Sequence, residues 1–212
     1  VETYVVRVWV PDRPGALGQV ASRIGAVGGD VVGIDILERG AGKAIDELFV
    51  TLPTADLTGL LVAEISQVED AAVEEVRSVT GDLPEPGVAA LESAVRIVDA
   101  TPADRLRRLC EELQSLLGAD WVRAVTSNGP RALVEIGSTD QSPAWIAAFV
   151  EGTSHLPPEE QSRATPADLA WTALTRHGVA IAVGRGGSPL RARERRQVTL
   201  LGRLADGLGL SL

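Results

Sequence analysis

Residues 3–17 read TYVVRVWVPDRPGAL, and this stretch carries the strongest fold signal in the chain. Its first eight residues are rich in β-branched and aromatic types, which predicts a strand. Residues 11–15 (PDRPG) have the composition of a turn. The apolar residues of the strand alternate at period two, and those after the turn recur at helical spacing. They are Tyr4, Val6, Val8 and Val10 in the strand, and Leu17, Val20, Ala21, Ile24 and Val27 in the helix.

Beyond this stretch, the pattern predicts two more strands, a second helix and a fourth strand. Gly28-Gly29 ends the first helix, and the turn at residues 39–42 joins the two strands that follow. The predicted elements are strands at residues 30–38, 45–52 and 72–79, and a helix that begins at Pro53-Thr54. The resulting order is βαββαβ, the ferredoxin-like split unit.

A proline- and glycine-rich segment separates this unit from the rest of the chain. Residues 81–87 (GDLPEPG) contain two prolines and two glycines, which indicates a linker. A chain of 212 residues is also long enough for two domains. We therefore predict an α+β protein with a first domain at residues 1–81, a linker at 82–90 and a second domain at 91–212.

The second domain is predicted to be α/β, built around an antiparallel sheet. It opens with Thr101-Pro102-Ala103-Asp104, where threonine at the N-cap and proline at the first helical position favour a helix start. Leucines then recur at helical spacing up to residue 117. The other predicted elements are strands at 121–126, 132–136 and 179–183, and helices at 143–150, 166–176 and about 190–208.

Composition limits the function of the chain. The net charge is −9, so the chain repels phosphate backbones and we do not expect direct nucleic-acid binding. The single cysteine, Cys110, can form neither an internal disulfide nor a cysteine metal cluster. No apolar run approaches the length of about 20 residues that a membrane span needs, and no signal peptide is visible. We therefore expect a cytoplasmic protein that does not contact a membrane.

The first domain resembles the ACT family, which binds amino acids and related small effectors. The resemblance covers residues 3–79 and rests on DRPGAL between a strand and a helix, on Gly28-Gly29-Asp30-Val31 before the second strand, and on the βαββαβ order. It implies a homodimer with a ligand site at a subunit boundary, in which Asp30 lies near the same crevice as Asp12. The implied site residues are Asp12, Arg13, Pro14, Gly15, Ala16, Leu17, Gly29, Asp30 and Val31.

The chemistry of these residues suits a zwitterion. A helix N-terminus offers unpaired backbone N–H groups and a partial positive charge. Gly15 has no Cβ and lets a ligand carboxylate approach the backbone. The Asp12 carboxylate is placed to receive an ammonium group. The family commonly has asparagine where this chain has Asp12 and Asp30, and two acids favour a cationic group over a bare anion.

Two plainer interpretations of the same residues stay open. Asp12 can simply cap the helix that follows it, and residues 14–15 can be only a turn. ACT-like domains also serve as dimer interfaces, and this role requires no ligand.

The second domain resembles a GAF-type domain. The resemblance rests on the capped helix at 101–117, on the strand pair after it, and on the sequence GVAIAVGR at residues 178–185 before a long final helix. GAF-like domains bind small molecules or partner chains, and the resemblance implies no particular ligand residue here.

The remaining chemically capable residues have structural interpretations. Cys110 lies on the apolar face of its helix, so we expect a buried, inert thiol. His155 and His177 have no partner at metal-ligand spacing, and we expect no metal and no cofactor. Residues 184–187 (GRGG) lack the lysine of a phosphate-binding loop. The basic cluster is expected to be a solvated helix start, with a phosphate or acidic-partner site as the alternative; it consists of Arg191, Arg193, Arg195 and Arg196.

Three functions are compatible with this sequence. The first is a non-catalytic regulatory or sensor protein that binds an amino acid or related metabolite through its first domain. The second is a dimerisation or regulatory subunit that binds another protein without a small ligand. The third is an enzyme with an unrecognised site in the second domain. The sequence has no nucleophile–base or metal motif, so we predict that the protein is not an enzyme.

Overall fold

A computed structural model of the chain describes residues 2–79 and 86–211. By its contacts the chain divides into two compact units, Val1–Pro86 and Gly87–Leu212, and each unit is treated separately below. The core of the predicted linker, residues 82–85, lies outside the described residues.

The first unit has the predicted ferredoxin-like order. Its elements are β1 (Glu2–Pro11), α1 (Ala16–Ala26), β2 (Asp30–Gly40), β3 (Lys43–Leu52), a short 3-10 helix (Ala55–Leu57), α2 (Thr58–Ile65) and β4 (Ala72–Val79). The strands form one sheet in the order β2-β3-β1-β4, and every neighbouring pair is antiparallel. The second strand is therefore an edge strand. It is interrupted by two register shifts, between Val31 and Gly33 and between Ile36 and Glu38.

One face of this sheet packs against α1 and α2. The alternating residues of β1 are buried together with those of β3 and with the apolar stripe of α1, which confirms the period-two and helical patterns. The turn from α1 to β2 requires glycine because a Cβ on Gly29 would lie 2.9 Å from Ile24 Cγ2 and 3.1 Å from Leu52 Cδ2. This tight packing accounts for the second glycine of the Gly28-Gly29 pair.

The second unit is α/β with an antiparallel sheet, as predicted. Its elements are α3 (Pro86–Asp99), α4 (Arg105–Leu117), β5 (Trp121–Thr126), β6 (Ala132–Gly137), α5 (Pro143–Ser154), α6 (Pro158–Ala164), β7 (Leu169–Leu174), β8 (Val179–Gly184) and α7 (Ala192–Leu208). The strand order is β6-β5-β8-β7. Helix α3 occupies residues 86–90, which we had predicted as the end of the linker. The resemblance to a GAF-type domain stays a prediction.

The helix predicted at residues 166–176 is wrong, because residues 169–174 form strand β7. The Thr-Pro-Ala-Asp tetrad before it looks like a helix start, but Thr165 instead ends α6. Strand β7 is covered on both faces: Ala170 and Leu174 face the larger core, and Trp171 and Ala173 face a smaller cluster beneath α5. A short strand buried on both faces has no polar alternation, so it cannot be told from a buried helix by periodicity.

The core of the second unit contains Cys110, which is fully buried beside Leu109 and Leu113, as predicted. Burial raises the pKa of the thiol to about 12, which keeps it protonated and unreactive at neutral pH. None of the helices in the described residues is both long and apolar enough to cross a membrane.

The first and last segments of the second unit are joined by hydrogen bonds. The Arg105 guanidinium, at the start of α4, donates to the carbonyl oxygens of Leu208 and Gly209, at 3.2 and 2.5 Å, and to that of Ala100 at 2.7 Å. The Ser211 N–H donates to the Pro102 carbonyl at 2.9 Å.

Candidate functional site

The loop between β1 and α1 holds the first group of predicted site residues. The Asp12 N–H donates to the Gly42 carbonyl at 2.9 Å, so the loop is anchored to the turn between β2 and β3. The Arg13 N–H donates to the Pro11 carbonyl at 2.8 Å. The side chains of residues 12–15 are exposed, whereas Ala16 is buried beneath the first turn of α1.

The N-terminus of α1 is open. Its N-cap is Gly15, with φ at +86°, and no side chain of the described residues caps the helix. Asp12 therefore does not act as the cap. A Cβ built on Gly15 would meet no other atom of the described chain within 4 Å. The space beside Gly15 is thus free, and the Ala16 N–H donates to the Arg13 carbonyl at 3.3 Å, which leaves the other amides of the first turn for a carboxylate that the helix dipole favours.

The second group, Gly29, Asp30 and Val31, lies at the other end of the sheet. Asp30 pairs with Thr51 on β3, whereas Gly40 at the far end of β2 pairs with Lys43, next to the loop that holds Asp12. Ten residues of strand separate Asp30 from Gly40, which is about 30 Å. Within one chain the two groups do not form a common crevice, contrary to the expectation that Asp30 lies beside Asp12.

A buried acid that the sequence analysis did not single out, Asp46, lies on the helix-facing side of the sheet. It pairs with Val8 on β1 and with Ile36 on β2, and it is only 4% exposed. Its Oδ1 has no hydrogen-bond partner among the described residues. Burial raises the pKa of Asp46, the charge of Arg39 lowers it, and the charge of Asp12 raises it further.

Asp46 was detectable in the sequence. It has the same period-two parity as Leu48, Val50 and Leu52, which lie in the core, so an acid at that position is out of place. Buried carboxylates are rare without a partner, and this parity argument was the available signal.

His177 and Gly184 have structural roles. His177 lies in the turn between β7 and β8; its Nδ1 is 3.0 Å from Asp206 Oδ1 and its Nε2 accepts from the Leu210 N–H at 3.1 Å. His155 ends α5. Gly184 is required because a Cβ there would overlap the Trp121 ring. Within residues 2–79 and 86–211, no three His, Cys, Asp or Glu side chains are grouped to hold a metal ion.

The predicted basic cluster is partly built into the fold. Arg195 donates from Nε to the Leu190 carbonyl at 2.9 Å and from Nη2 to the Pro166 carbonyl at 2.8 Å. Glu194 accepts from Arg185 at 2.7 Å. The solvated helix start predicted here is therefore wrong for Arg195, which holds two segments of the second unit together.

Comparison with known proteins identifies the first unit. The model of the ACT domain family matches residues 4–70. No curated protein matches the chain. Among solved structures, an uncharacterized protein from Thermotoga maritima is 21% identical, with 37% of this chain and 96% of that chain covered and a TM-score of 0.29. The ACT domain from GTP pyrophosphokinase of Chlorobium tepidum is 16% identical, with 37% and 100% covered and a TM-score of 0.29.

A third similar structure is the C-terminal domain of the MgtC protein from Mycobacterium tuberculosis. It is 20% identical, with 38% of this chain and 88% of that chain covered and a TM-score of 0.30. The family match covers the strand, loop and helix that hold DRPGAL, together with Gly28-Gly29-Asp30-Val31. Residues 4–70, which lie within the first unit, therefore match the ACT domain family.

Proposed function

We propose that this is a cytoplasmic, non-catalytic regulatory protein whose ACT domain binds an amino acid or a related small metabolite. The observation that carries the proposal is the open N-terminus of α1, where Gly15 leaves the helix uncapped and the space before it free. A ligand carboxylate would lie against these amides, and the Asp12 carboxylate at the rim would hold an ammonium group.

The charge of the ACT domain supports a ligand with a cationic group. Residues 1–81 carry 13 acidic and 6 basic side chains. A bare anion would be repelled by this domain, whereas a zwitterion presents its carboxylate to the helix and its ammonium group to the acids.

The exposed edge of the sheet supports a homodimer. Strand β2 carries three exposed apolar side chains, Val32, Ile34 and Ile36, and an open edge of this kind favours pairing with another chain. Antiparallel pairing of β2 with the same strand of a second copy would place Asp30 of the partner subunit near Gly40 and therefore near Asp12. The two groups of site residues would then meet at a subunit boundary, as a two-fold axis allows.

A charged substitution on the edge strand β2 tests whether the protein dimerises through that strand. Ile34→Glu should convert a dimer into a monomer, because a buried carboxylate would be left unpaired at the interface. Light scattering at tens of micromolar measures the mass. The matched control is Leu60→Glu on α2: Leu60 is 49% exposed and Ile34 is 48% exposed, but Leu60 is not on the edge strand. A wild type that is only monomeric, or an equal effect of both variants, would contradict this dimer.

The ligand is tested by thermal shift on the full chain. A ligand that binds only the folded state at a hundredfold excess over Kd stabilises it by about 2.7 kcal/mol. An amino acid that binds should therefore raise the melting temperature, and both Asp12→Ala and Gly15→Val should abolish that rise. The quantity compared is the ligand-induced shift of each variant, because Gly15→Val also strains a residue with positive φ.

The matched control for Gly15→Val is Gly129→Val in the second unit. Gly129 also has a positive φ, and its Cβ position is likewise empty in the described structure. Gly129→Val should lower the melting temperature but keep the ligand-induced shift. If the shift survives both site substitutions, the ligand binds elsewhere and the second unit becomes the better candidate.

A second candidate function is a dimerisation or regulatory subunit without a small ligand. The exposed apolar edge of β2 favours it, since that edge fits a protein partner whether or not a ligand is present. A wild type that dimerises but responds to no amino acid, nucleotide or organic acid at millimolar concentration would replace the ligand proposal with this one. Turnover of any of these compounds would instead indicate an enzyme.

A further inference from the structure

Two adjacent acids on β3 have opposite environments. Glu47 is buried but accepts from Arg7 Nη2 at 2.6 Å and from Arg7 Nε at 3.2 Å. Asp46 is equally buried, yet its Oδ1 has no hydrogen-bond partner in the described part of the chain. A buried carboxylate oxygen without a partner is costly, so such a group needs a reason other than packing.

Asp46 is placed between the N-terminal half of α1 and the open edge of the sheet. It lies opposite Val8, which packs in one cluster with Ala16 and Val20 of the first turns of α1. On its other side it lies opposite Ile36 of the edge strand, which is substantially exposed. The surface beside Asp46 is therefore open at β2, close to the uncapped helix.

The charged groups around Asp46 make this corner of the domain anionic. Asp12 on the β1–α1 loop and Arg39 near the end of β2 are the groups whose charges act on it. Burial and Asp12 both raise the pKa of Asp46, which means that its ionised form is held at a cost. A cation bound next to Asp46 would stabilise the ionised carboxylate and offset its desolvation.

We propose that Asp46 is the buried anionic group of the effector site and that the effector carries a primary ammonium group that it contacts. This inference rests on the proposed function and specifies its ligand class: an amine whose carboxylate lies at the helix N-terminus and whose ammonium group reaches beneath Asp12. A metal ion is disfavoured, because the described residues offer no group of three metal ligands.

The first test needs no ligand. Asp46→Asn keeps the shape and removes the charge, so the variant should melt a few degrees higher than the wild type at pH 7 to 8. Because the folded-state pKa is raised, Asp46 binds its proton more tightly in the folded protein than in the unfolded chain. Its contribution to stability is therefore lost as pH rises from the ordinary value of about 3.9 through the folded pKa, and the advantage of Asp46→Asn should vanish below about pH 4.

The matched control is Glu47→Gln, the neighbouring buried acid that has a partner. Glu47→Gln should lower the melting temperature at pH 7, because it weakens the bond to Arg7. If Asp46→Asn also lowers the melting temperature, Asp46 is a structural residue and the inference is overturned. A second variant, Asp46→Ser, repeats the comparison with a smaller neutral side chain.

The second test uses the proteinogenic amino acids as probes, each compared with its matched 2-hydroxy acid. Amino acids that bind the wild type should lose about tenfold or more in affinity for Asp46→Asn, which corresponds to one charge-assisted hydrogen bond. The 2-hydroxy acids should bind wild type and variant with equal, weaker affinity.

The outcomes separate this inference from the proposed function. Equal affinity of an amino acid for wild type and Asp46→Asn would overturn the role of Asp46 and leave the ACT ligand site intact. Tighter binding of the 2-hydroxy acid than of its amino acid would overturn the ammonium contact alone. A wild type that binds no probe would refute both.

Discussion

Gly137→Ala is expected to unfold the second unit at temperatures where the wild type is folded. Gly137 ends β6 with φ at +68°, opposite Trp121 on β5, and a Cβ there would overlap the carbonyl oxygen of Asp120. That carbonyl belongs to the backbone, and Asp120 is itself held by a hydrogen bond from its N–H to the Gly184 carbonyl at 3.0 Å. The overlap can be relieved only if β5 and β6 move apart, so we expect the free energy of unfolding to fall by on the order of 4 kcal/mol.

Gly129→Ala is the matched control for this prediction. Gly129 has nearly the same positive φ, but a Cβ there would meet no other atom of the described chain within 4 Å. Its cost should be only the left-handed backbone penalty of about 1–2 kcal/mol. Denaturant unfolding followed by circular dichroism and tryptophan fluorescence measures both variants. Equal losses of stability in the two variants would show that β5 and β6 can move apart at little cost in free energy, which would contradict the packing argument.

Removal of Glu47 should have the second large effect. Arg7 and Glu47 are 2% and 8% exposed in their side chains, and Arg7 Nη2 lies 2.6 Å from Glu47 Oε1. Glu47→Ala would leave a buried guanidinium without this partner, and removing one member of a buried ion pair costs about 3–5 kcal/mol. Chemical denaturation of the full chain, followed by circular dichroism and tryptophan fluorescence, measures this loss of stability.

Two controls establish that burial causes this loss. Arg23 and Glu64 form a partly exposed pair at 3.1 Å, with side chains 43% and 22% exposed, so Glu64→Ala should lower the free energy of unfolding by no more than about 1 kcal/mol. Replacement of Arg7 and Glu47 together by leucine should destabilise the domain less than Glu47→Ala, because neither member of this buried ion pair then remains without the other. A double variant less stable than Glu47→Ala would refute this account.

The fold of the ACT domain was predictable from its sequence although its central strands, β1 and β3, are buried on both faces. The turn PDRPG marks the change from strand to helix, and the alternating residues of β1 pack in one cluster with the apolar stripe of α1. Strand β7 is also buried on both faces, with Ala170 and Trp171 on opposite sides, but the tetrad before it resembles a helix start. Periodicity therefore fails there, and a repeated capping motif led to the wrong element.

The candidate site was only partly predictable. The turn PDRPG and the glycine before the helix are local features, so their geometry follows from sequence. The separation of Asp12 from Asp30 depends on the direction of β2, and the meeting of the two segments depends on a second copy of the chain. Two observations single out Asp46 as a candidate site residue. Its position on the core face follows from the sequence, whereas the missing hydrogen-bond partner of its Oδ1 is seen only in the structure.

The hydrogen bonds from the start of α4 to the last residues of the second unit bear on how the protein is synthesised. Arg105 and Pro102 bind carbonyl and N–H groups more than 100 residues later, at Gly209 and Ser211, so this closure waits for the end of the unit to leave the ribosome. The ACT domain is complete at β4, about 130 residues earlier, which at roughly 5–20 residues per second is on the order of ten seconds. A nascent chain therefore carries the complete ACT domain sequence while its second unit still lacks this closure.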